Sequence, residues 1–490
     1  MRALARRALL LAAAGVLVIV GLQGALASGA QVPSLDAGSL VSLCGETQPE
    51  KRFGLADAVA QALNLQPQLI IAQAEEAASR SDLKAARAAF LPQIDFSSIE
   101  ERYVPSNASQ PVVVVDNTVL GGAQTKTAYG SLSLQWNLWH DGQDVATYHG
   151  AQAGIRAAAY GVDKQLDNTL MDVLRAYADL YTAEVTTRND GAAAAGLEAI
   201  QARSERRYAR GYGTEVAVGQ ARVAALNAVQ TLNEGCRDLT DKSAALAEAV
   251  GLELVHPRRL GVLGPLPKPL LDVIGQGAVA NLIDASPAVA EAREEVATAE
   301  SKLHRAFGEF GPTVSLSVRR DYLGQDTDSF GRANQHLAPA DYLIALEFEQ
   351  PLFPLGSQAA DVDKARAELR KARASYRQAR LEVQTKLADA LSARQAAERS
   401  YLAAESGLAD AEQVLQLTES QYFAGRKDLD SVDHARMDRD AAEAELEKLA
   451  SARALAQWQA ARTLFPRQFP MALMRQLHLK VRLPTGSESR

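Results

Sequence analysis

The sequence predicts a mainly α-helical protein with a smaller β portion, in which one structural unit occurs twice. Three observations carry this. Alanine-rich tracts without proline run from Val112 to His256 and from Leu355 to Phe465, and alanine is the strongest helix former. Short runs alternate apolar and polar residues with period two, the mark of strands. Finally, the chain matches itself at fixed offsets.

The N-terminus comes first. Arg2, Arg6 and Arg7 precede an apolar run from Ala8 to Val20, followed by Ala25-Leu26-Ala27. A basic start, a short apolar core and a small-residue site read as a signal peptide, residues 1–27, cleaved after Ala27. Residues 28–52 then form an N-terminal periplasmic segment. Of the 490 residues 47% are hydrophobic and 23% charged, which excludes wholesale disorder. The formal charge of −7 becomes −10 once the three arginines leave, which argues against a nucleic-acid partner. Cys44 and Cys236 are the two cysteines, too few for a disulfide-rich scaffold or a four-cysteine zinc site. In an oxidising compartment they are a candidate disulfide, or else two unpaired small apolar side chains; the sequence leaves both open.

The duplication sets the domain plan. At an offset of 220, Pro67/Pro287, Phe90/Phe310, Pro92/Pro312 and Ser97/Ser317 coincide. Further on, at an offset of 214, Gly142/Gly356, Tyr208/Tyr422, Gly211/Gly425 and Arg222/Arg436 do so. The first repeat covers 53–263 and the second 279–465. A Pro-rich linker, 264–278, separates them, and a basic tail, 466–490, follows. The tail is expected either to lack order or to wrap the helices.

Each repeat reads in the same order. A lead-in helix, Leu55–Leu65 or Val279–Ile283, precedes a longer helix begun by Pro67 or Pro287. Pro92 and Pro312 stop those helices. Strands follow: Ile94 and Phe96 alternate with polar residues, as do Val314, Leu316 and Val318. After the polar connections Val104–Gln124 and Leu323–Pro339 come second strands, with Leu132, Leu134, Trp136 and Leu138, and with Ile344, Leu346 and Phe348. Long helical tracts are then interrupted at Tyr208–Gly213 and Tyr422–Gly425, and resume to Gly251 and Phe465. A helix of about 70 residues is about 105 Å long and needs neighbours, as in a coiled coil.

The strands permit two readings. One face can rest on a soluble core, or the apolar face can meet lipid and the polar face a watery lumen. Four strands cannot close a transmembrane barrel, which needs at least eight, so the second reading requires several copies of the chain.

The signal peptide, the duplicated helix–strand–strand–helix units and the Tyr-x-x-Gly turns together resemble the TolC-type outer-membrane factor family. Phe90-Leu91-Pro92-Gln93-Ile94, Trp136–Gly142, Gln350–Gly356, Tyr208–Gly211 and Tyr422–Gly425 carry the resemblance, which spans Leu55 to Pro466. It implies a homotrimer whose pooled strands, four per protomer, form one 12-stranded barrel in outer-membrane lipid. It also implies a long α-helical coiled-coil barrel across the periplasm. The partners implied are a periplasmic adaptor (membrane fusion) protein and an inner-membrane ABC or proton-driven transporter. Gly211 and Gly425 are then the periplasmic tip turns. The candidate aperture gate is Tyr422 with Arg426 or Lys427, and Asp430 and Asp433 as acids. The family places acids six and nine residues after the glycine, where this chain has Ser431 and His434.

Catalytic signals are missing. There is no Walker phosphate loop, no His-Glu-x-x-His and no nucleophile elbow, and the seven histidines are scattered. The expectation is a non-enzyme without cofactor or metal. It is an exit duct for efflux or type I secretion, with a poreless periplasmic coiled-coil adaptor or scaffold as the alternative.

Overall fold

The computed structural model describes residues 51–103, 113–115, 118–120, 125–253, 260–269, 279–326, 328–352 and 356–479. Residues 1–27, nearly all of 28–52 including Cys44, and 480–490 of the tail lie outside them.

The chain opens with β1 (Lys51–Phe53), α1 (Leu55–Leu65), α2 (Pro67–Ala88), β2 (Gln93–Tyr103), β3 (Val113–Val115), β4 (Thr118–Leu120) and β5 (Thr125–His140). Next come α3 (Gln143–Ala209), α4 (Glu215–Val250) and β6 (Leu260–Val262). The second half holds α5 (Val279–Asp284), α6 (Pro287–Gly308), β7 (Thr313–Asp326), α7 (Phe330–Gln335) and β8 (Ala338–Glu349). It closes with α8 (Ser357–Phe423), α9 (Leu429–Leu464) and α10 (Phe469–Gln476).

The halves match in length as well as order. Helices α2 and α6 each have 22 residues, α3 and α8 each 67, and α4 and α9 each 36. Gly142 and Gly356 take left-handed φ of 76° and 86° just before the two long helices, a region that glycine enters without a Cβ clash. The same junction is tied twice. Trp136 Nε1 donates to the Phe90 carbonyl at 3.0 Å, and Gln350 Nε2 donates to the Phe310 carbonyl at 2.9 Å. Both bonds satisfy main-chain acceptors left over where a helix ends.

Strands β2, β5, β7 and β8 form one antiparallel sheet in the order β2-β5-β7-β8. Its register lines like residues into rows. Ile94, Leu134, Val318 and Ile344 stand together, as do Trp136, Leu316 and Leu346. On the other face Gln93, Gln135 and Ser317 form a row, and so do Asn137, Ser315 and Glu347. The apolar face is open: Phe96 is 72% exposed, and Leu346 and Phe348 each 68%. The strands run further than alternation alone suggested. The connection expected at 323–339 holds the end of β7, the short helix α7 and the start of β8. The connection expected at 104–124 holds the β3–β4 ladder.

Contacts divide the described chain into two units. One contains residues 191–233, the outer part of the α3–α4 hairpin, and the other contains the rest. The main core belongs to the second unit. It joins α1, the middle of α3, the end of α4, α9 and α10 through Val59, Leu166, Leu170, Leu174, Leu246, Trp458, Phe469 and Leu473. Beside it β1 and β6 pair in parallel, and Leu260 N donates to Ser243 Oγ at 2.6 Å.

Two segments take definite form here. The described part of the tail holds a helix at 469–476, because Phe469 and Leu473 enter the core and Phe469 meets the Trp458 ring edge-on at 6.1 Å. The Pro-rich linker is anchored over its described residues: Trp458 Nε1 donates to the Pro267 carbonyl at 2.8 Å, and Gln476 Nε2 to the Lys268 carbonyl at 2.7 Å.

Candidate functional site at the hairpin turns

Both hairpin turns are built by the same main-chain bonds. In the first, Gly211 N donates to the Tyr208 carbonyl and Tyr212 N to the Arg207 carbonyl, each at 2.9 Å. In the second, Gly425 N donates to Tyr422 and Arg426 N to Gln421, each at 2.8 Å. The six-to-one bond over a left-handed glycine, φ 76° at Gly211 and 70° at Gly425, ends a helix while satisfying its last carbonyls.

Each turn is also closed from its far side. Thr214 Oγ1 accepts from Ala217 N at 3.2 Å, and Asp428 Oδ1 from Ser431 N at 3.0 Å. These side chains satisfy the first orphan amides of α4 and α9. Glu205 and Arg222 then bridge the first hairpin at 3.3 Å, and Glu419 and Arg436 the second at 2.9 Å. The bond from Gln201, followed by that from Arg222, holds the Glu205 carboxyl below its ordinary range. The bond to Glu419 raises the Arg436 guanidinium. Sequence reading missed both caps and both acids. The usable signal was Thr214/Asp428 and Glu205/Glu419 at the same offset as the glycines.

The candidate gate residues gather on the second hairpin end. Tyr422 stacks edge-on against Phe423 at 5.7 Å, and Arg426 and Lys427 are exposed on the turn. Asp430 and Asp433 lie half-buried in the first turns of α9. His434 Nδ1 is bonded to the Asp430 carbonyl at 2.7 Å.

Away from the turns, a second charged cluster lies on α3 and α9, unnoticed in the sequence. Burial, reinforced by Glu76, lifts Asp163 to about 6, and Arg467 opposes it. Burial lifts Asp167 to about 7, with Arg462 opposing and Asp163 adding. Arg462 donates to Asn168 Oδ1 at 2.5 Å. Asp167, Lys164, Glu291, Lys386 and Arg462 line a cleft of about 700 Å³. The i, i+4 acids among Val162, Leu166 and Leu170 were the available sequence signal. Among the described residues no group of His, Cys, Asp or Glu is placed to hold a metal ion, and no helix is long and apolar enough to cross a membrane.

Comparison with known proteins follows the same architecture. The family model "outer membrane efflux protein" matches residues 58–252 and 279–464. No significant match is found among curated proteins. The CmeC outer membrane channel of Campylobacter jejuni superposes with a TM-score of 0.70 at 18% identity, covering 86% of this chain and 89% of that one. VceC, an outer membrane protein of Vibrio cholerae, gives 0.64 at 20%, covering 84% and 95%. The MtrE outer membrane channel of Neisseria gonorrhoeae gives 0.64 at 16%, covering 84% and 88%. Two matched segments, one in each half and together most of the chain, place this protein in the outer membrane efflux protein family, whose members are outer-membrane channels with a helical tunnel in the periplasm.

Proposed function

We infer that three copies of the chain close one 12-stranded barrel and act as a passive exit duct. The observation that carries this reading is the four-stranded sheet. Its order leaves β2 and β8 as edges, and its rows are apolar on one face and polar on the other. Unpaired edge amides are costly in lipid, so such a sheet must close, and four strands are too few to close alone. Threefold symmetry supplies twelve strands and sets β8 of one copy beside β2 of the next. The apolar rows then meet lipid, and the serine, glutamine and asparagine rows line water.

The helical hairpins continue the duct into the periplasm. The turns at Gly211 and Gly425 meet a periplasmic adaptor, and an inner-membrane ABC or proton-driven transporter supplies the energy. Tyr422, Arg426, Lys427, Asp430 and Asp433 close the aperture. The conduit conducts and the transporter selects. Membrane fractionation with heat-modifiable gel mobility tests the reading. An outer-membrane trimer that migrates anomalously until boiled supports it. A soluble periplasmic monomer would instead favour the poreless adaptor.

A further inference from the structure

A charge stands among the aromatic and aliphatic side chains in one row of the apolar sheet face. Phe96, Leu132, Arg320 and Tyr342 stand in register across β2, β5, β7 and β8. Arg320 is exposed, and its Cζ lies 5.9 Å from the ring centre of Tyr322 on the same face. Among the described residues it has no carboxylate partner. Its neighbours Arg319 and Asp321 pair with each other at 3.0 Å on the opposite face. The acids further out on its own face are engaged: Glu100 accepts from Asn334 at 2.6 Å, and Asp326 pairs with Arg332 at 3.5 Å. Beside this row Gly130 leaves a notch. A β-carbon there would sit 3.7 Å from Tyr322 Cβ and 3.9 Å from Phe96 Cε2.

The level of the row matters. Helices leave the sheet at Pro92, Gly142, Pro312 and Gly356, so that end is periplasmic and the hairpin ends are external. Seven strand residues separate Glu349, the end of β8 nearest the helices, from Tyr342. That is about 23 Å of strand, or about 18 Å along the membrane normal at a tilt of about 40°, against an apolar band about 25 Å tall. Arg320 therefore stands in the outer part of that band, where a cation costs less than at the midplane and its long side chain reaches the headgroups. Among the described residues, no carboxylate supplies its counter-charge.

We propose that Arg320, flanked by Tyr322 and Tyr342, binds a phosphate on the headgroup of an outer-leaflet lipid, with the Gly130 notch receiving the adjoining part of that lipid. A guanidinium fork matches phosphate oxygens bidentately, and phenol rings sit well at a membrane boundary. The assignment rests on the barrel reading above.

The test uses the full-length protein extracted from outer membranes in mild detergent, with Arg320→Gln and Arg320→Lys beside wild type. Each is titrated with bis-phosphorylated lipid A, with its dephosphorylated form and with inorganic phosphate, following the thermal unfolding midpoint. Bis-phosphorylated lipid raises the wild-type midpoint, and the other two ligands do not. Arg320→Gln weakens that lipid's apparent affinity by about tenfold, and Arg320→Lys falls between. Equal affinity in wild type and Arg320→Gln, or equal stabilisation by inorganic phosphate, overturns the proposal. Heat-modifiable mobility of the same samples reports the barrel independently. An intact barrel with unchanged lipid binding sinks only the lipid site, whereas a wild-type protein that never forms a barrel removes both.

Discussion

Arg436 on α9 bonds Glu419 on α8 at 2.9 Å, across the base of the second hairpin end. Arg222 and Glu205 make the same bond at 3.3 Å in the first. Each pair spans 17 residues and encloses the turn. Exposed pairs of this kind contribute about 0.2–1 kcal/mol and weaken with salt. Arg436→Ala should therefore leave the global unfolding midpoint almost unchanged. It should speed amide exchange between residues 419 and 436. A double-mutant cycle with Glu419→Ala should give a coupling of about 0.5 kcal/mol. No coupling would make the pair incidental to the turn.

The glycines are less replaceable. At φ 70°, Gly425 occupies backbone that an alanine enters only at a cost of about 1 kcal/mol. Asp428→Ala removes the cap on Ser431 N and costs about 1 kcal/mol. Both variants, and Gly211→Ala in the first hairpin, should expose their turn to limited proteolysis while far-ultraviolet circular dichroism stays helical. An unchanged cleavage pattern in all three would mean that the turn geometry is held by something else.

Much of this was legible because local chemistry and tertiary structure agree. Proline at 67 and 92, glycine at 142, 211 and 425, and alternation around Trp136 each mark an element end or face without help from distant residues. The elements that escaped are those fixed by tertiary contact. Helix α10 forms where Phe469 and Leu473 find the Trp458 core, and β1 forms where β6 pairs with it. Arg320 escaped for a related reason: only the register of β2, β5, β7 and β8 brings the row around it together. Asp163 and Asp167 escaped because their environment comes from the burial of α3 on that side.

If the second hairpin end closes the duct, its charges should govern conductance. Tyr422→Phe with Arg426→Ala and Lys427→Ala should raise single-channel conductance in planar bilayers about twofold or more, because a constriction of tyrosine and charge limits ion flow. Asp430→Asn and Asp433→Asn test the acids separately. A rise for Asp433→Asn but not Asp430→Asn would identify which acid reaches the aperture. Wild-type conductance in all of these variants would place the gate elsewhere.

Cys236 lies on α4 and is not a free thiol, which supports pairing with Cys44. Such a bond closes a loop of nearly 200 residues, for which chain entropy gives about 5 kcal/mol. Alkylation without reductant should label no cysteine, and reduction should slow gel migration and lower the unfolding midpoint. Two labelled thiols in the oxidised protein would remove the pairing.

The buried acids on α3 set a pH dependence whose sign is unusual for carboxylates. Burial raises Asp163 to about 6 and Asp167 to about 7, from 3.8. The folded chain therefore holds protons that the unfolded chain has already released. In that window stability falls as pH rises, since the slope follows the protons bound by the unfolded minus the folded state. This contribution is fully present below about pH 4 and is lost as pH passes through about 6 to 7. Arg462, held by Asn168, limits the loss by favouring ionised Asp167. Asp167→Asn keeps the shape without a titrating proton, so it should flatten unfolding free energy against pH between about 4 and 7 and stabilise the protein most at the upper end. Arg462→Gln should steepen the same curve. Denaturant midpoints at several pH values in one detergent would measure both, and a wild-type curve that rises through this window would exclude buried, protonated Asp167 as the controlling group.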